Sequence, residues 1–177
     1  MADESTNGQG GNGDAQAAAQ RQAQPQNLGV LAQYVKDLSF ENPGAPGSLR
    51  GRAGNPNIAI TIDVRPGPVA NEEAEVELRL DAKATAGDEV IFAIELVYAG
   101  LFRLNNIPAD AVQPILRIEC PRLLFPFARQ ILADASRNGG FPPLLIDPID
   151  FVGLYRQRLM EAQAAAQRAG GGGPQTA

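Results

Sequence analysis

The chain has 177 residues, with 15 Lys and Arg against 20 Asp and Glu, a formal charge of −5, one cysteine and no histidine. That length suits one domain with tails, and the acidic balance without any basic cluster excludes a phosphate-gripping surface for nucleic acid. The missing histidine removes Ser-His-Asp and Cys-His catalysis and every His-containing zinc site, and a lone cysteine makes no internal disulfide, which fits a reducing cytosol.

Residues 1–27 are rich in Gly, Gln, Ala and Asn and too poor in large apolar groups to bury anything, so they are expected to be a disordered tail. Their start, MADESTNGQGGNGDAQ, has neither a basic nor an apolar region and does not read as a secretory signal. No window approaches the ~18 apolar residues of a membrane span, and a cytoplasmic protein is expected. The ordered domain is expected over 28–167, and 168–177 as a flexible Gly-rich tail.

The first half reads as strands. In QYVKDLSFE, alternation puts Tyr34, Leu38 and Phe40 on one face and Val35, Asp37, Ser39 and Glu41 on the other. The Pro/Gly-rich connection NPGAPGSLRGRAGNP leads to NIAITIDV, with Ile58, Ile60, Ile62 and Val64 on one face. After the turn RPGPVAN, EAEVELRLDAKAT alternates strictly. Ala74, Val76, Leu78, Leu80 and Ala82 point inward, while Glu73, Glu75, Glu77, Arg79 and Asp81 point outward. Short turns then suggest an antiparallel meander into VIFAIELVYAGLFRL, a strand apolar on both faces between Val90 and Leu101. Two helices cover only one face of a sheet, so another copy of the chain is expected to cover the rest.

The second half changes period. PADAVQPILRIE reads as one or two helical turns interrupted at Pro114. In CPRLLFPFARQIL, Pro121 fits the first turn of a helix, where its missing N–H has no intrahelical partner, and Pro126 predicts a kink or a later start. From Leu123, residues Leu124, Phe127, Ala128, Ile131, Leu132 and Ala135 follow helical spacing until RNGG offers a glycine cap. FPPLLIDPI reads as an extended loop, and Asp150 as the N-cap of a second helix with Phe151, Leu154, Tyr155 and Leu159 in one stripe. The fold class is α+β: a four-stranded antiparallel sheet followed by two helices.

No catalytic constellation emerges. From Asn71 to Glu95 there are eight carboxylates against Arg79 and Lys83, but their alternation with apolar residues is that of a solvated sheet face. Cys120 stands between Glu119 and Pro121 with no histidine to activate it, and reads as a small buried side chain. No phosphate-binding Gly loop or EF-hand spacing is present. Phe125, Phe127, Phe141, Leu144, Leu145 and Ile146 gather around a helix end and an extended loop. They suit either core and subunit interface, or an open apolar groove for polypeptide.

Three strings, YVKDLSFENPGAP from Tyr34 to Pro46, ECPRLLFPFAR, and GGFPPLLIDPIDFVGLY, resemble the bacterial protein-export chaperone family SecB. The resemblance implies a homotetramer, a dimer of dimers with helices layered between two large sheets, that is not an enzyme and uses neither ATP nor any cofactor. Its partners would be unfolded secretory preproteins, held in the cytosol and delivered to the motor SecA, with no nucleic acid and no direct membrane insertion. By motif position, Asp37, Glu41 and Glu95 would contact SecA. Ile58, Ile60, Ile62, Phe125, Phe127 and Leu144 would belong near the client groove. A structural or small-ligand-binding oligomer of the same fold is the alternative.

The sequence departs from the family's pattern in places. The crossover GSLRGRAGNP has no tryptophan, leaving Leu49 as the large apolar residue there. Ala93 stands where a leucine is familiar, which weakens the expected apolar contact beside Glu95. After Met160 the only basic residue is Arg168, so the tail is expected to add little to SecA binding.

Overall fold

The computed structural model describes residues 27–50 and 56–170. The tails expected at 1–27 and 168–177 lie outside the described residues, apart from Asn27, which opens the first strand, and 168–170, which continue the last helix. Four strands, β1 (Asn27–Glu41), β2 (Asn57–Pro66), β3 (Glu73–Ala86) and β4 (Glu89–Asn105), form one antiparallel sheet in the order β1-β4-β3-β2. The last three make the expected meander. β1 joins beyond β4, so the Pro/Gly-rich connection carries the chain from one edge of the sheet to the other.

The period-2 pattern of β3 sorts the sheet into two faces. Val76, Leu78, Leu80 and Ala84 on β3 and Ile94, Leu96 and Phe102 on β4 are fully or almost fully buried on one face, which we call inner. Ile58, Ile60, Ile62 and Val64 of β2 pair with Ala84, Ala82, Leu80 and Leu78 and lie on that inner face too.

In β1 strict alternation fails. Its register against β4 shifts between Val30 and Ala32 and again between Val35 and Asp37, leaving Leu31 and Lys36 as bulge residues. Leu38 and Phe40 face inward opposite Leu96 and Ile94, and Val35 joins them opposite Tyr98. Tyr34, opposite Ala99, shares the outer face with Asp37, Ser39 and Glu41. The expected faces of Tyr34 and Val35 are therefore reversed, because the extra residue at Lys36 inverts the parity of the strand as far as the second bulge at Leu31, which restores it.

The helical half begins as one continuous rod. α1 (Ala109–Pro114) passes through a π-helical turn at Ile115–Glu119 into α2 (Cys120–Asn138), with helical backbone angles at both junctions. Pro121 stands in the first turn of α2, as expected, but that turn continues from the π turn, where the Cys120 N–H bonds the Ile115 carbonyl. Widening the helix just before Pro121 accommodates a residue with no N–H and a bulky ring. Pro126 lies inside α2 without ending it.

Leu116, Cys120, Leu124, Ala128 and Leu132 recur every fourth residue and are fully buried against the inner face. Gly100 lets the rod come close: a Cβ there would stand 2.8 Å from Leu124 Cδ2. Phe127, assigned to the apolar stripe by spacing, is instead 53% exposed. Gly140, at φ +87°, turns the chain after α2. Asp150 caps α3 (Phe151–Gly170) through a 3.0 Å bond from the Gly153 N–H. Only the first turns of α3 are buried or half-buried, and from Arg156 to Arg168 the helix is exposed.

Candidate functional site

The outer face of the sheet carries charge in cross-strand rows. One row runs Asp37, Val97, Arg79, Asp63; the next Ser39, Glu95, Asp81, Thr61; the next Glu41, Ala93, Lys83, Ala59. The sheet thus brings Asp37, Glu41 and Glu95 together, and Asp81 with them, all four exposed. None of the four makes an ion pair among the described residues. Glu95 and Asp81 stand directly opposite each other, an arrangement of like charges that costs stability. A cationic partner would remove that cost.

The other half of this face is neutralised. Arg103 holds Glu73 at 2.6 Å, Lys36 reaches Glu75 at 2.8 Å and Glu77 at 2.7 Å, and Arg79 reaches Glu77 at 3.1 Å. The Tyr34 hydroxyl also donates to Glu75. Hydrogen bonds from Lys36 hold the Glu75 and Glu77 carboxyls below the usual range, and the same bonds raise the Lys36 ammonium. The β3 acids, one uniform solvated row in the sequence, are therefore divided between a paired half and an unpaired half. Lys36 makes the division, and it reaches the outer face beside Asp37 only because of the bulge. Alternation gives no warning of that.

Of the apolar outward residues of β4, Val97 and Ala99 are 9% and 0% exposed within the single chain, and Ala93 and Leu101 are half-buried. The uncovered apolar surface expected over β4 lies elsewhere, on two flanks of the inner side. One flank gathers Val30, Val35 and Leu38 of β1 with Leu123 and Phe127 of α2, all at least 42% exposed. Phe127 stacks on Tyr98 there, ring centroids 6.4 Å apart. The second flank lies on the opposite edge, where Ile58 and Ile60 of β2 are 41% and 37% exposed and Ile62 is half-buried. Leu49, exposed, sits over Gly140.

The six apolar groove candidates are thus not one cluster. Phe125 is buried, edge-on to Phe151 at 6.2 Å, and Leu144 is buried with its N–H bonded to Ser136 Oγ at 2.8 Å. Both belong to the core of the single chain. Phe127 lies over Tyr98, whereas Ile58 sits at the level of Phe92, six residues away along β4 and two strands over. That is ~20 Å along the strand alone. Helical spacing predicted the contacts of α2 with the sheet but not which flank stays open.

Cys120 is fully buried, and burial pushes its thiol up to about 12, so it is no nucleophile. Among the described residues no helix is long and apolar enough to cross a membrane.

Against known proteins, the sequence pattern described as "Preprotein translocase subunit SecB" matches residues 20–162. The chain is 58% identical over 145 residues to the protein-export protein SecB of Mesorhizobium japonicum, covering 82% of this chain and 86% of that one. It is 56% identical over 164 residues to that of a Bradyrhizobium species, covering 93% and 96%. Among solved structures, a SecB-like chaperone of Mycobacterium tuberculosis, in complex with an antitoxin peptide, superposes with a TM-score of 0.55. That match covers 77% of this chain and 92% of the other at 12% identity, a likeness of fold. With the pattern spanning most of the domain and relatives this close, the chain belongs to the SecB family.

Proposed function

We propose that this protein is an export chaperone of the cytosol. It holds secretory preproteins unfolded by hydrophobic contact, without ATP or catalysis, and passes them to SecA. The observation that carries the reading is the two-sidedness of the sheet. Unpaired Asp37, Glu41, Glu95 and Asp81 stand on one face, and open Ile58 and Ile60 on the other.

The acidic quartet suits a basic docking partner such as SecA. Exposed charges speed encounter and are screened by salt, so docking weakens as ionic strength rises. Ile58, Ile60 and the half-buried Ile62 form the client strip; covering the exposed 41% of Ile58 or 37% of Ile60 contributes about 0.6–1.2 kcal/mol apiece and reads no particular sequence. Phe125 and Leu144 support the core beneath.

The flank of Val30, Val35, Leu38, Leu123 and Phe127 supports a second copy of the chain there, and with it the dimer-of-dimers homotetramer. So many exposed apolar side chains side by side mark an interaction surface.

The test is dilution of an unrelated denatured protein into buffer with and without this chain, alongside its mass in solution. Delayed refolding of the client supports the reading. Refolding at the unassisted rate, from a particle of the expected mass, favours a structural or small-ligand-binding oligomer instead.

A further inference from the structure

Five cations stand on the strands, Lys36, Arg65, Arg79, Lys83 and Arg103, and all five lie on the outer face. Four of them hold a carboxylate. Lys36 takes Glu75 and Glu77, and Arg103 takes Glu73. Arg65 and Arg79 each turn back to the acid two residues before, Asp63 at 2.7 Å and Glu77 at 3.1 Å. Lys83 stands at the same step from Asp81, yet it is exposed and has no carboxylate partner among the described residues. Its cross-strand neighbours are Ala93 and Ala59, and Glu41 lies beyond Ala93 in the same row. The unpaired patch of Asp37, Glu41, Glu95 and Asp81 therefore includes one free positive charge.

We infer that Lys83 makes the docking face selective for a partner that presents a carboxylate among its basic groups, and against a partner basic throughout. A uniformly cationic surface laid on this patch meets all four carboxylates but brings a positive group against Lys83. A partner with an acid at that place satisfies all five charges. Such a repulsive element separates two partners that the attraction alone would accept equally.

The spacings describe the partner. Lys83 is two residues, ~7 Å, from Asp81 along β3, and two strands, ~10 Å, from Glu41 across the sheet. Acid and base three or four residues apart on one helix face lie ~5–6 Å apart, so a helix of mixed charge meets Asp81 and Lys83 together. The side-chain chemistry keeps Lys83 available. Its ammonium is a compact charge on a flexible stem, without the planar fork by which Arg65 and Arg79 clasp neighbouring acids. The alanines on either side of it offer no large side chain to cover it. This role of Lys83 rests on the docking reading proposed above.

The test titrates the full chain with SecA and, separately, with an oligolysine, by isothermal titration calorimetry at low salt. Lys83→Glu makes the face more acidic, yet it should weaken SecA binding about fivefold while tightening oligolysine binding about threefold. Added salt should shrink both shifts. Lys83→Met, which removes the charge and keeps an unbranched stem, should give smaller shifts in the same two directions, and it decides the matter should Lys83→Glu fail to fold. Unchanged or tighter SecA binding overturns the inference, as does an oligolysine affinity that falls together with that for SecA. Glu95→Lys is measured in parallel. Loss of SecA binding there, with none at Lys83, sinks the role of Lys83 alone, whereas indifference at both positions sinks the docking face and Lys83 with it.

Discussion

The ring of Phe40 occupies the space where a side chain on Gly139 would begin. A Cβ built on Gly139 would press on Phe40 Cζ and stand 2.6 Å from its Cε1. Gly139 is at φ −72°, an ordinary helical angle, so the need for glycine is steric rather than conformational. Phe40 in turn lies against Phe92 and Phe141, with centroids 6.0 and 6.4 Å away, which ties the end of β1 to the end of α2. Gly139→Ala should therefore cost about 1–3 kcal/mol of overpacking, read as a lower midpoint in urea unfolding. An unchanged midpoint would mean that the Phe40 ring moves aside freely.

Ser136 fastens the extended loop to α2. Its buried hydroxyl donates to the Ala133 carbonyl at 3.0 Å and accepts the Leu144 N–H at 2.8 Å. Ser136→Ala strands that N–H in the core, a loss of about 1–3 kcal/mol. Amide exchange at Leu144 should accelerate more than at Leu132, which a general loss of stability would not produce.

Lys36 links two acids, and pH reports the link. The folded Glu75 and Glu77 carboxyls lie below their ordinary value of 4.5, so the unfolded chain binds protons first as pH falls. Their stabilisation is complete above 4.5 and is lost as pH drops through the lower folded values. Lys36 is raised above its ordinary 10.5, so its own share is complete below 10.5 and fades only at more alkaline pH. Lys36→Met should flatten the fall in stability below pH 4.5, measured by urea midpoints across an acid series. A curve identical to that of the parent chain would deny the link.

On the acidic face, charge reversal at Asp37, Glu41 or Glu95 should weaken SecA binding severalfold at low salt and much less at high salt. Asp81→Lys should do the same, since Asp81 stands opposite Glu95. Reversal of Glu73, already paired with Arg103, should matter least. Equal effects at all five positions would leave only a general charge effect in place of a docking patch.

The two apolar flanks are separable. Replacing Ile58 and Ile60 together by Ser should weaken client binding by about tenfold or more while leaving oligomeric mass unchanged. Phe127→Ser should shift the mass toward smaller species, measured by light scattering. The reverse assignment of effects would exchange the roles of the two flanks.

The sequence alone determined most of the secondary structure and the fold class. In β3 every second residue is buried, and the sequence writes that demand out letter by letter from Ala74 to Ala84. It also determined the Asp150 cap and the absence of histidine chemistry, because both depend on residue type and local spacing. What only the tertiary structure decided is which face a β1 residue takes, since the bulge at Lys36 exists through its pairing with β4 and inverts parity for Tyr34. The same holds for Phe125 and Leu144, which resemble Phe127 and Leu145 in chemistry but are buried where those are exposed. Periodicity fixes which residues share a face; only the packing of one element on another determines how much of that face stays open to water.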